Sequence, residues 1–298
     1  MTTDDPADRP ADRPSGHAAG SATGNGSGLR GASFGARATS FGEVAAAYEL
    51  GRPTFPVEAL TWILGPGRGL QVLDLGAGTG KLAAVAAGLG HHVIAVDPSP
   101  EMLDVCRRRP GVDTMVGTAE SIPLAHASVD AVIVGQAFHW FDHARALPEI
   151  ARVLRPNGVL GLLWNNADTV VPWVRRIWQV MQGDAHLGEH RGGSDRFEPL
   201  PVLEQSNLFA LIETARFRHW HDLDRNGLRQ LAQSHSRVAV LKETRRDQVL
   251  EQIDLLYEHT ARPPEPLRMP YLTDCFRARP SEFANYRRTL DGPVAPHL

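Results

Sequence analysis

A glycine-rich segment between an apolar run and a helical pattern constrains this chain more than any other feature. Leu70 to Leu75 is an apolar run, and Asp74-Leu-Gly-Ala-Gly-Thr-Gly80 follows directly from it. Residues 81–89 then have the spacing of a helix, which Gly90 ends. Glycine has no Cβ, so it permits a sharp turn and lets a ligand lie against bare backbone. The segment therefore predicts a strand, a tight turn and a helix around a ligand site.

The same alternation of strand and helix continues along the chain. Short apolar runs separated by helical patterns recur at 92–96, 112–116, 129–135 and 159–164. This alternation indicates βαβ units, and crossover connections of that kind are right-handed. Near-continuous apolar strands are typical of a parallel sheet that is buried on both faces. We therefore predict an α/β fold, a doubly wound and mostly parallel sheet with helices on both faces.

Beyond Trp164 the pattern predicts a helical cover. Val170 to Met181 is amphipathic, residues 209–223 predict one or two strands, and residues 225–233 predict a helix. A resemblance to a capping box at Thr244 to Asp247 precedes a further predicted helix. We place a substrate cover within about residues 165–265, with the segment from Val170 to about Gln205 as its mobile part.

A late strand is predicted where Leu267, Met269 and Tyr271 alternate with polar residues. Pro270 interrupts it, and proline is disfavoured within an inner strand of a sheet. This proline argues against a place for the strand inside the sheet.

Composition sets the limits of the folded domain. Residues 1–40 repeat Ala-Asp-Arg-Pro and are then rich in Gly, Ser and Ala, which predicts a disordered tail. We expect one domain over residues 41–280 and a C-terminal tail over residues 281–298. The chain has 31 Lys and Arg against 34 Asp and Glu, a net charge of −3, which gives no basic footprint for nucleic acid.

Cysteine content and hydropathy favour a cytoplasmic protein without metal or membrane. The two cysteines form neither a disulfide framework nor a zinc cluster. No apolar run approaches the roughly 20 residues of a membrane span, and the N-terminus has no signal pattern. His186 and His190 have the i, i+4 spacing of a metal pair, but the glycines around them predict a loop, so no metal is expected.

Two common nucleotide-binding motifs fail at the glycine segment. The dinucleotide fingerprint needs glycine where Lys81 stands. The phosphate-binding loop needs glycine where Leu75 stands and Ser or Thr where Leu82 stands. Asp74 is unfavourable to a pyrophosphate and suits a positively charged ligand, while Asp97 ends the second strand, where a carboxylate holds a ribose diol. A ribose, a cationic amino-acid part and no phosphate together suggest S-adenosylmethionine.

At these residues the sequence resembles the class I S-adenosylmethionine-dependent methyltransferases, in particular the methyltransferase type 11-like branch with its Rossmann-like fold. Five blocks carry the resemblance in order: Val72–Lys81, Val96–Leu103, Gly117–Leu124, Ser128–Val132 and Leu154–Gly158. Tyr48–Pro56 and Gln136–Asp142 also resemble a subgroup that includes enzymes similar to trans-aconitate methyltransferase.

The resemblance implies a set of cofactor-binding residues. Asp74 would anchor the turn or the amino group, Asp97 would take the ribose hydroxyls, and Met102 would cover an adenine face. Thr118 and Ala119 would meet the adenine edge, although many relatives have Asp where Thr118 stands. The full set is Tyr48, Arg52, Asp74, Gly76, Ala77, Gly78, Gly80, Asp97, Met102, Thr118, Ala119 and Gln136. Tyr48 and Arg52 would close over the cofactor carboxylate, the alternative being a solvated helix end.

The acceptor side is predicted after the fourth and fifth strands. Gln136 and His139 are the candidate catalytic residues, with His139 as general base or substrate orienter, or alternatively as a packing residue. Trp140, Trp164 and Asn165 are the candidate substrate-binding residues, whereas Phe138 is expected in the core.

The function expected is transfer of a methyl group from S-adenosylmethionine to a small molecule by in-line displacement. A second hypothesis is a non-catalytic S-adenosylmethionine-binding module or partner subunit. A third is a nucleotide-dependent oxidoreductase. The sequence identifies neither the acceptor nor the oligomeric state.

Overall fold

A seven-stranded sheet organises the chain. The computed structural model describes residue 49, residues 51–182 and 198–282, and residue 284. The strands are β1 (Gln71–Leu75), β2 (His92–Asp97), β3 (Val112–Val116), β4 (Val129–Gly135), β5 (Leu154–Ala167), β6 (Phe209–Leu223) and β7 (Leu267–Pro280). The helices are α1 (Val57–Leu64), α2 (Lys81–Gly88), α3 (Pro100–Cys106), α4 (His143–Val153), α5 (Pro172–Gln182), α6 (Pro199–Ser206), α7 (Arg225–Gln233), α8 (Ser236–Ala239) and α9 (Glu243–Thr260), with a 3-10 turn at Phe138–Trp140.

The strand order confirms the predicted fold class. The order across the sheet is β3-β2-β1-β4-β5-β7-β6, with β1 to β5 parallel and β7 antiparallel to both its neighbours. From β1 the chain runs outward to β3 and then returns to place β4 on the other side of β1. Ligands of open α/β sheets bind at such a switch point, outside the carboxyl ends of the strands. The glycine turn after β1 and Gln136 after β4 both lie there.

Alternating side chains of the strands pack helices against both faces of the sheet. On one face Leu73 joins a core cluster with Ile150 of α4. On the other face Val72 joins a cluster with Leu60 of α1 and Leu103 of α3. The predicted layers of helices on both faces are therefore confirmed.

A third core cluster forms the helical cover. Buried residues of α5, α7, α8 and α9, among them Ile177, Leu231, Val238 and Ile253, pack with Met269 of β7. The cover thus has its own apolar core and meets the sheet at the ends of β6 and β7.

The proline in β7 does not exclude that strand from the sheet interior, so the expectation drawn from Pro270 was wrong. Pro270 lies opposite Trp220 of β6, and its carbonyl accepts the N–H of Asp168 at 3.0 Å. The N and C=O of one strand residue face the same neighbour. The ring nitrogen of Pro270, which carries no hydrogen, therefore faces the side of β5. That strand has already ended at Ala167, so the hydrogen bonds between β7 and β6 are not affected by the proline.

The structure decides two predictions for the cover. Residues 209–223 form one strand, which is one of the two predicted alternatives. The capping box predicted at Thr244 is wrong, because Lys242 is the N-cap of α9 and makes no side-chain cap hydrogen bond. Thr244 and Asp247 therefore lie inside the helix, where they do not close its first turn.

Several predictions fall outside the described residues. These are the N-terminal tail over residues 1–40, Tyr48, the loop that holds His186 and His190, and nearly all of the C-terminal tail. Within the described ranges, no helix combines the length and the apolar character that crossing a membrane requires.

Candidate active site

The glycine turn uses its three glycines for different purposes. Gly76, Gly78 and Gly80 all have positive φ, at 71°, 56° and 75°. A Cβ on Gly76 would lie 2.6 Å from the Cβ of Ala137, and one on Gly80 would lie 2.4 Å from the Sγ of Cys106. A Cβ on Gly78 would meet no heavy atom of the described residues within 4 Å. The outer two glycines therefore permit packing, and Gly78 presents bare backbone to open space, as a ligand cradle requires.

Asp97 at the end of β2 holds this turn in place. Its Oδ2 accepts the N–H of Gly78 at 2.8 Å, and its Oδ1 accepts the N–H of Ser99 at 2.9 Å. Burial raises the pKa of Asp97, and these two backbone donors oppose the rise. Each carboxylate oxygen keeps a second lone pair, so the predicted contact with a ribose diol is compatible with this geometry.

Asp74 links the turn to the start of α2 through one carboxylate oxygen, and the other oxygen is available to a ligand. The residue is 1% exposed, and its Oδ2 accepts the N–H of Ala83 at 2.9 Å. Its Oδ1 is buried with no hydrogen-bond partner among the described residues. Burial raises the pKa of Asp74 from 3.8 to about 7. An orphaned carboxylate oxygen beside a bare glycine turn fits a cofactor that carries positive charge.

Gln136 has a strained backbone at the end of β4. Its φ is +61°, which is uncommon for a residue other than glycine and is often found at functional sites. Its N–H donates to the carbonyl of Leu163 at 2.9 Å, and its Nε2 donates to the carbonyl of Asn165 at 2.8 Å. Gln136 therefore ties the ends of β4 and β5 together at the switch point.

Asn165, a predicted substrate-binding residue, has both ends of its amide bonded within the protein. Its Nδ2 donates to the carbonyl of Thr54 at 3.0 Å, and its Oδ1 accepts the hydroxyl of Thr273 at 2.6 Å. The side chain thus joins β5, β7 and the segment before α1. Its contact with an acceptor stays a prediction.

The aromatic residues after β4 have divided roles. Phe138 is fully buried and packs edge-on against Trp164 with ring centroids 6.4 Å apart, so its expected place in the core is confirmed. His139 and Trp140 lie on the same turn, each partly open to solvent, with ring centroids 4.7 Å apart. The imidazole of His139 is partly desolvated by the protein atoms around it, and this desolvation and the charge of His143 lower the pKa of His139 below 6.5. A neutral imidazole at this place is ready to accept a proton.

One cavity of about 730 Å³ brings most of the predicted residues together. This volume lies within the range of about 300–1,000 Å³ that is typical of ligand pockets. The predicted residues in its lining are Arg52, Asp74, Gly76, Ala77, Gly78, Gln136, His139, Trp140, Trp164 and Asn165.

The predicted adenine and ribose residues are not in that lining. Met102 and Ala119 are buried, Thr118 is exposed, and Gly80 packs against Cys106. These residues and Asp97 belong to the β2–β3 side of the sheet, next to the glycine turn. Their cofactor contacts stay predictions.

A contact network that sequence reasoning missed joins Glu49 to residues of the glycine turn and to Arg109. Arg109 donates from Nε to the carbonyl of Thr79 at 2.7 Å and from Nη2 to Oε1 of Glu49 at 2.6 Å. Lys81 donates to the carbonyl of Glu49 at 2.6 Å. Glu49 precedes Arg52 by three positions, and this spacing matches no known motif that would have predicted its contacts.

The cover supplies further residues that no sequence pattern singled out. Arg52 donates to the hydroxyl and to the carbonyl of Ser234, both at 3.0 Å. Arg52 is therefore bonded to the cover, and its contact with a cofactor carboxylate stays a prediction. His235 and Tyr271 line the cavity nearby. In the described part of the chain, no group of three or more His, Cys, Asp or Glu is placed to hold a metal ion.

Comparisons with known proteins show the family of this chain. A family model described as a methyltransferase domain matches residues 73–162. An uncharacterized methyltransferase of Mycobacterium tuberculosis is 42% identical over 245 residues, which are 80% of this chain and 95% of that protein. An uncharacterized methyltransferase-like protein of Schizosaccharomyces pombe is 36% identical over 214 residues, 70% of this chain and 81% of that protein. A solved structure of a proposed type II methyltransferase from Anaeromyxobacter dehalogenans superposes with a TM-score of 0.55 and 25% identity, covering 76% of this chain and 97% of that one.

Proposed function

Because the chain belongs to the class I S-adenosylmethionine-dependent methyltransferases, we propose that it methylates a small molecule held in the cavity beside Gln136 and His139. The enzyme class and the cofactor predicted from the glycine segment are confirmed by its relatives. Nothing in these matches favours the non-catalytic module or the oxidoreductase. The acceptor and the roles of individual residues are the subject of the proposal.

The observation that carries the proposal is the shared cavity. Asp74 and Gly78 of the cofactor side line the same space as His139 and Trp140 of the acceptor side. A cofactor held at the glycine turn would thus place its methyl group in the same cavity as the acceptor. Alignment of the reacting atoms and exclusion of water are what this reaction requires of the protein.

The residues present fit the cofactor. When bound, S-adenosylmethionine supplies a methyl group that its sulfonium already activates. Gly78 would offer its backbone to the cofactor, Asp97 would use its remaining lone pairs for ribose hydroxyls, and Oδ1 of Asp74 would accept from the positively charged amino group. Gln136, whose side chain is held by the carbonyl of Asn165, would stand beside the methyl-donor end.

His139 is proposed as the base for an acceptor that carries a proton. A hydroxyl or ammonium acceptor must lose its proton to a ring nitrogen of His139, whereas a carboxylate acceptor needs no base. The lowered pKa of His139 keeps the imidazole neutral near pH 7, so it is in the form that accepts a proton. Trp140 and Trp164 provide the aromatic walls against which the acceptor lies.

The expected partners follow from charge and hydropathy. A net charge of −3 gives no support for nucleic acid as acceptor. We further propose a cytoplasmic location, which the two free and buried cysteines, Cys106 and Cys275, support because thiols stay reduced there.

Incubation with isotope-labelled S-adenosylmethionine and a fractionated cell extract tests the proposal. The fractions are small metabolites, nucleic acids and proteins, each analysed by mass spectrometry. The proposal expects label in a small metabolite with the wild-type enzyme and much less with His139→Ala. Label found only in nucleic acid or protein, or in no fraction although the cofactor binds, would overturn it.

A further inference from the structure

The cavity has an aromatic end that the methyl-transfer roles above do not use. Trp178 of α5, His235 before α8 and Tyr271 of β7 all line it. The ring centroids of Trp178 lie 6.2 Å from His235 and 6.4 Å from Tyr271, both edge to face. Three elements distant in sequence thus bring aromatic rings to one place. Such walls suit a planar or apolar ring.

Two polar atoms at this end have no partner among the residues that the structure describes. The hydroxyl of Tyr271 and Nδ1 of His235 are buried, and neither makes a hydrogen bond with any residue in the described ranges. Tyr271 is only 2% exposed. Buried tyrosine hydroxyls usually find a partner, because an unsatisfied polar group is costly to bury. A ligand that reaches both atoms would remove this cost.

The charge of the cavity favours a neutral ligand group at these atoms. Burial lowers the pKa of His235 to about 4 and raises that of Tyr271, so both side chains are neutral at pH 7. Neutral imidazole and phenol groups each donate and accept. The cationic side chains of the lining already have partners within the protein: Arg52 bonds to Ser234, Lys81 to Glu49 and Arg216 to Asp274. An ion buried here would lose its hydration, whereas an uncharged hydroxyl group matches both atoms without that loss.

We propose that the acceptor of the methyl group is an aromatic small molecule that carries an uncharged hydroxyl, anchored by Tyr271 and His235 with its ring against Trp178. The inference rests on the function proposed above and adds the chemical class of the acceptor. The anchoring hydroxyl is bound by the cover, and the reacting atom is assigned separately to the space beside His139.

Binding of matched aromatic probes to the enzyme saturated with S-adenosylhomocysteine tests this inference. The probes are naphthol, naphthoate and naphthylmethylammonium, and equilibrium dialysis gives their affinities. Naphthol should bind at least about tenfold more tightly than either ion, because both ions must give up their hydration on burial. Tyr271→Phe should weaken naphthol binding by about fivefold to tenfold, the loss of one hydrogen bond.

Tyr257→Phe is the matched control, because Tyr257 lies on α9 of the same cover and is not among the lining residues. It should leave naphthol binding unchanged. Tyr271→Phe should also leave the melting temperature unchanged or raise it, since it removes an unpaired buried hydroxyl. A purely structural tyrosine would lower the melting temperature and spare the binding.

The outcomes separate the two proposals. If S-adenosylhomocysteine does not bind the wild-type enzyme, the proposed function itself fails. If it binds, then absent naphthol binding, tighter binding of naphthoate or naphthylmethylammonium, or equal naphthol binding by Tyr271→Phe overturns the hydroxyl-bearing acceptor and leaves the proposed function standing.

Discussion

The two sides of the cavity are built from different kinds of contact. The cofactor side consists of the glycine turn with Asp74, and Asp97 holds that turn without lining the cavity. The bonds on this side join residues close in sequence: Gly78 and Asp97 are 19 positions apart, and Asp74 and Ala83 are nine apart. The acceptor side consists of the aromatic end and the residues around Asn165. Its bonds are long-range, since Asn165 is 111 positions from Thr54 and 108 positions from Thr273.

This difference in contacts makes the backbone of the glycine turn fixed by local bonds, whereas the aromatic end depends on the packing of distant elements. On the cofactor side, backbone N–H groups of Gly78, Ser99 and Ala83 donate to three of the four carboxylate oxygens of Asp74 and Asp97, so the backbone of the turn is set and Oδ1 of Asp74 alone of the four has no partner among the described residues. On the acceptor side, the side-chain polar atoms of two residues, Tyr271 and His235, lack partners within the described ranges. We infer that cofactor binding depends on one βαβ unit, whereas acceptor choice depends on how the cover meets the sheet.

The largest expected effect is a loss of turnover without a loss of cofactor binding. His139→Ala should lower turnover by roughly 10²–10⁴-fold if His139 is the base, with unchanged affinity for S-adenosylmethionine. In the wild-type enzyme turnover should fall as pH drops through the lowered pKa of His139, below 6.5, because protonated imidazole cannot accept a proton. Initial rates across pH for the wild type and the variant measure both effects.

His126→Ala is the control for that variant, because His126 is an exposed loop histidine remote from the glycine turn in sequence. Full turnover by His139→Ala at neutral pH would contradict the base assignment and favour a carboxylate acceptor.

A second variant acts on the cofactor side alone. Asp97→Ala should weaken S-adenosylmethionine binding by about 10–100-fold, because charge-assisted bonds of about 1.5–3 kcal/mol hold the glycine turn. Calorimetric titration measures the change. Asp113→Ala on exposed β3 should bind as the wild type does. Equal loss in both variants would mean that Asp97 has no special place in the site.

The third expected effect is a pH dependence of cofactor binding. The pKa of Asp74 is raised to about 7, so its carboxyl group gains a proton as pH falls from 7 to 6. The attraction for a cationic cofactor is then lost, and affinity should fall by about fivefold over this unit of pH. Titrations at both pH values measure it. Asp74→Asn should show no such change, and a pH slope that persists in that variant would assign it to another group.

The smallest expected effect concerns Glu49, next to the glycine turn. Glu49→Gln removes the ion pairs with Arg109 and Lys81 but keeps the hydrogen bond from Lys81 to the backbone carbonyl of residue 49. A partly exposed ion pair is worth little, so the affinity for cofactor should fall by about twofold to threefold, and less at high salt. Glu58→Gln on exposed α1 is the control. A loss that is independent of salt would argue against a role for charge.

The same contrast explains what the sequence could predict. The glycines, Asp74 and Asp97 form a local motif, so the turn and its place after β1 followed from residue types alone. The bonds of Asn165 to Thr54 and Thr273 span more than 100 positions, and no sequence spacing predicts them. Sequence reasoning also misjudged Pro270, because it could not show that β5 ends opposite that residue. Long-range pairing decides which backbone groups need partners, and only the folded sheet supplies it.

Calorimetric titration of the wild-type protein with S-adenosylmethionine, repeated with Asp97→Ala and with Tyr271→Phe, tests most directly the division into a cofactor side and an acceptor side. The account predicts one binding site in the wild type, a large loss of affinity in Asp97→Ala and wild-type affinity in Tyr271→Phe. No binding by the wild type, or equal losses in the two variants, would contradict it.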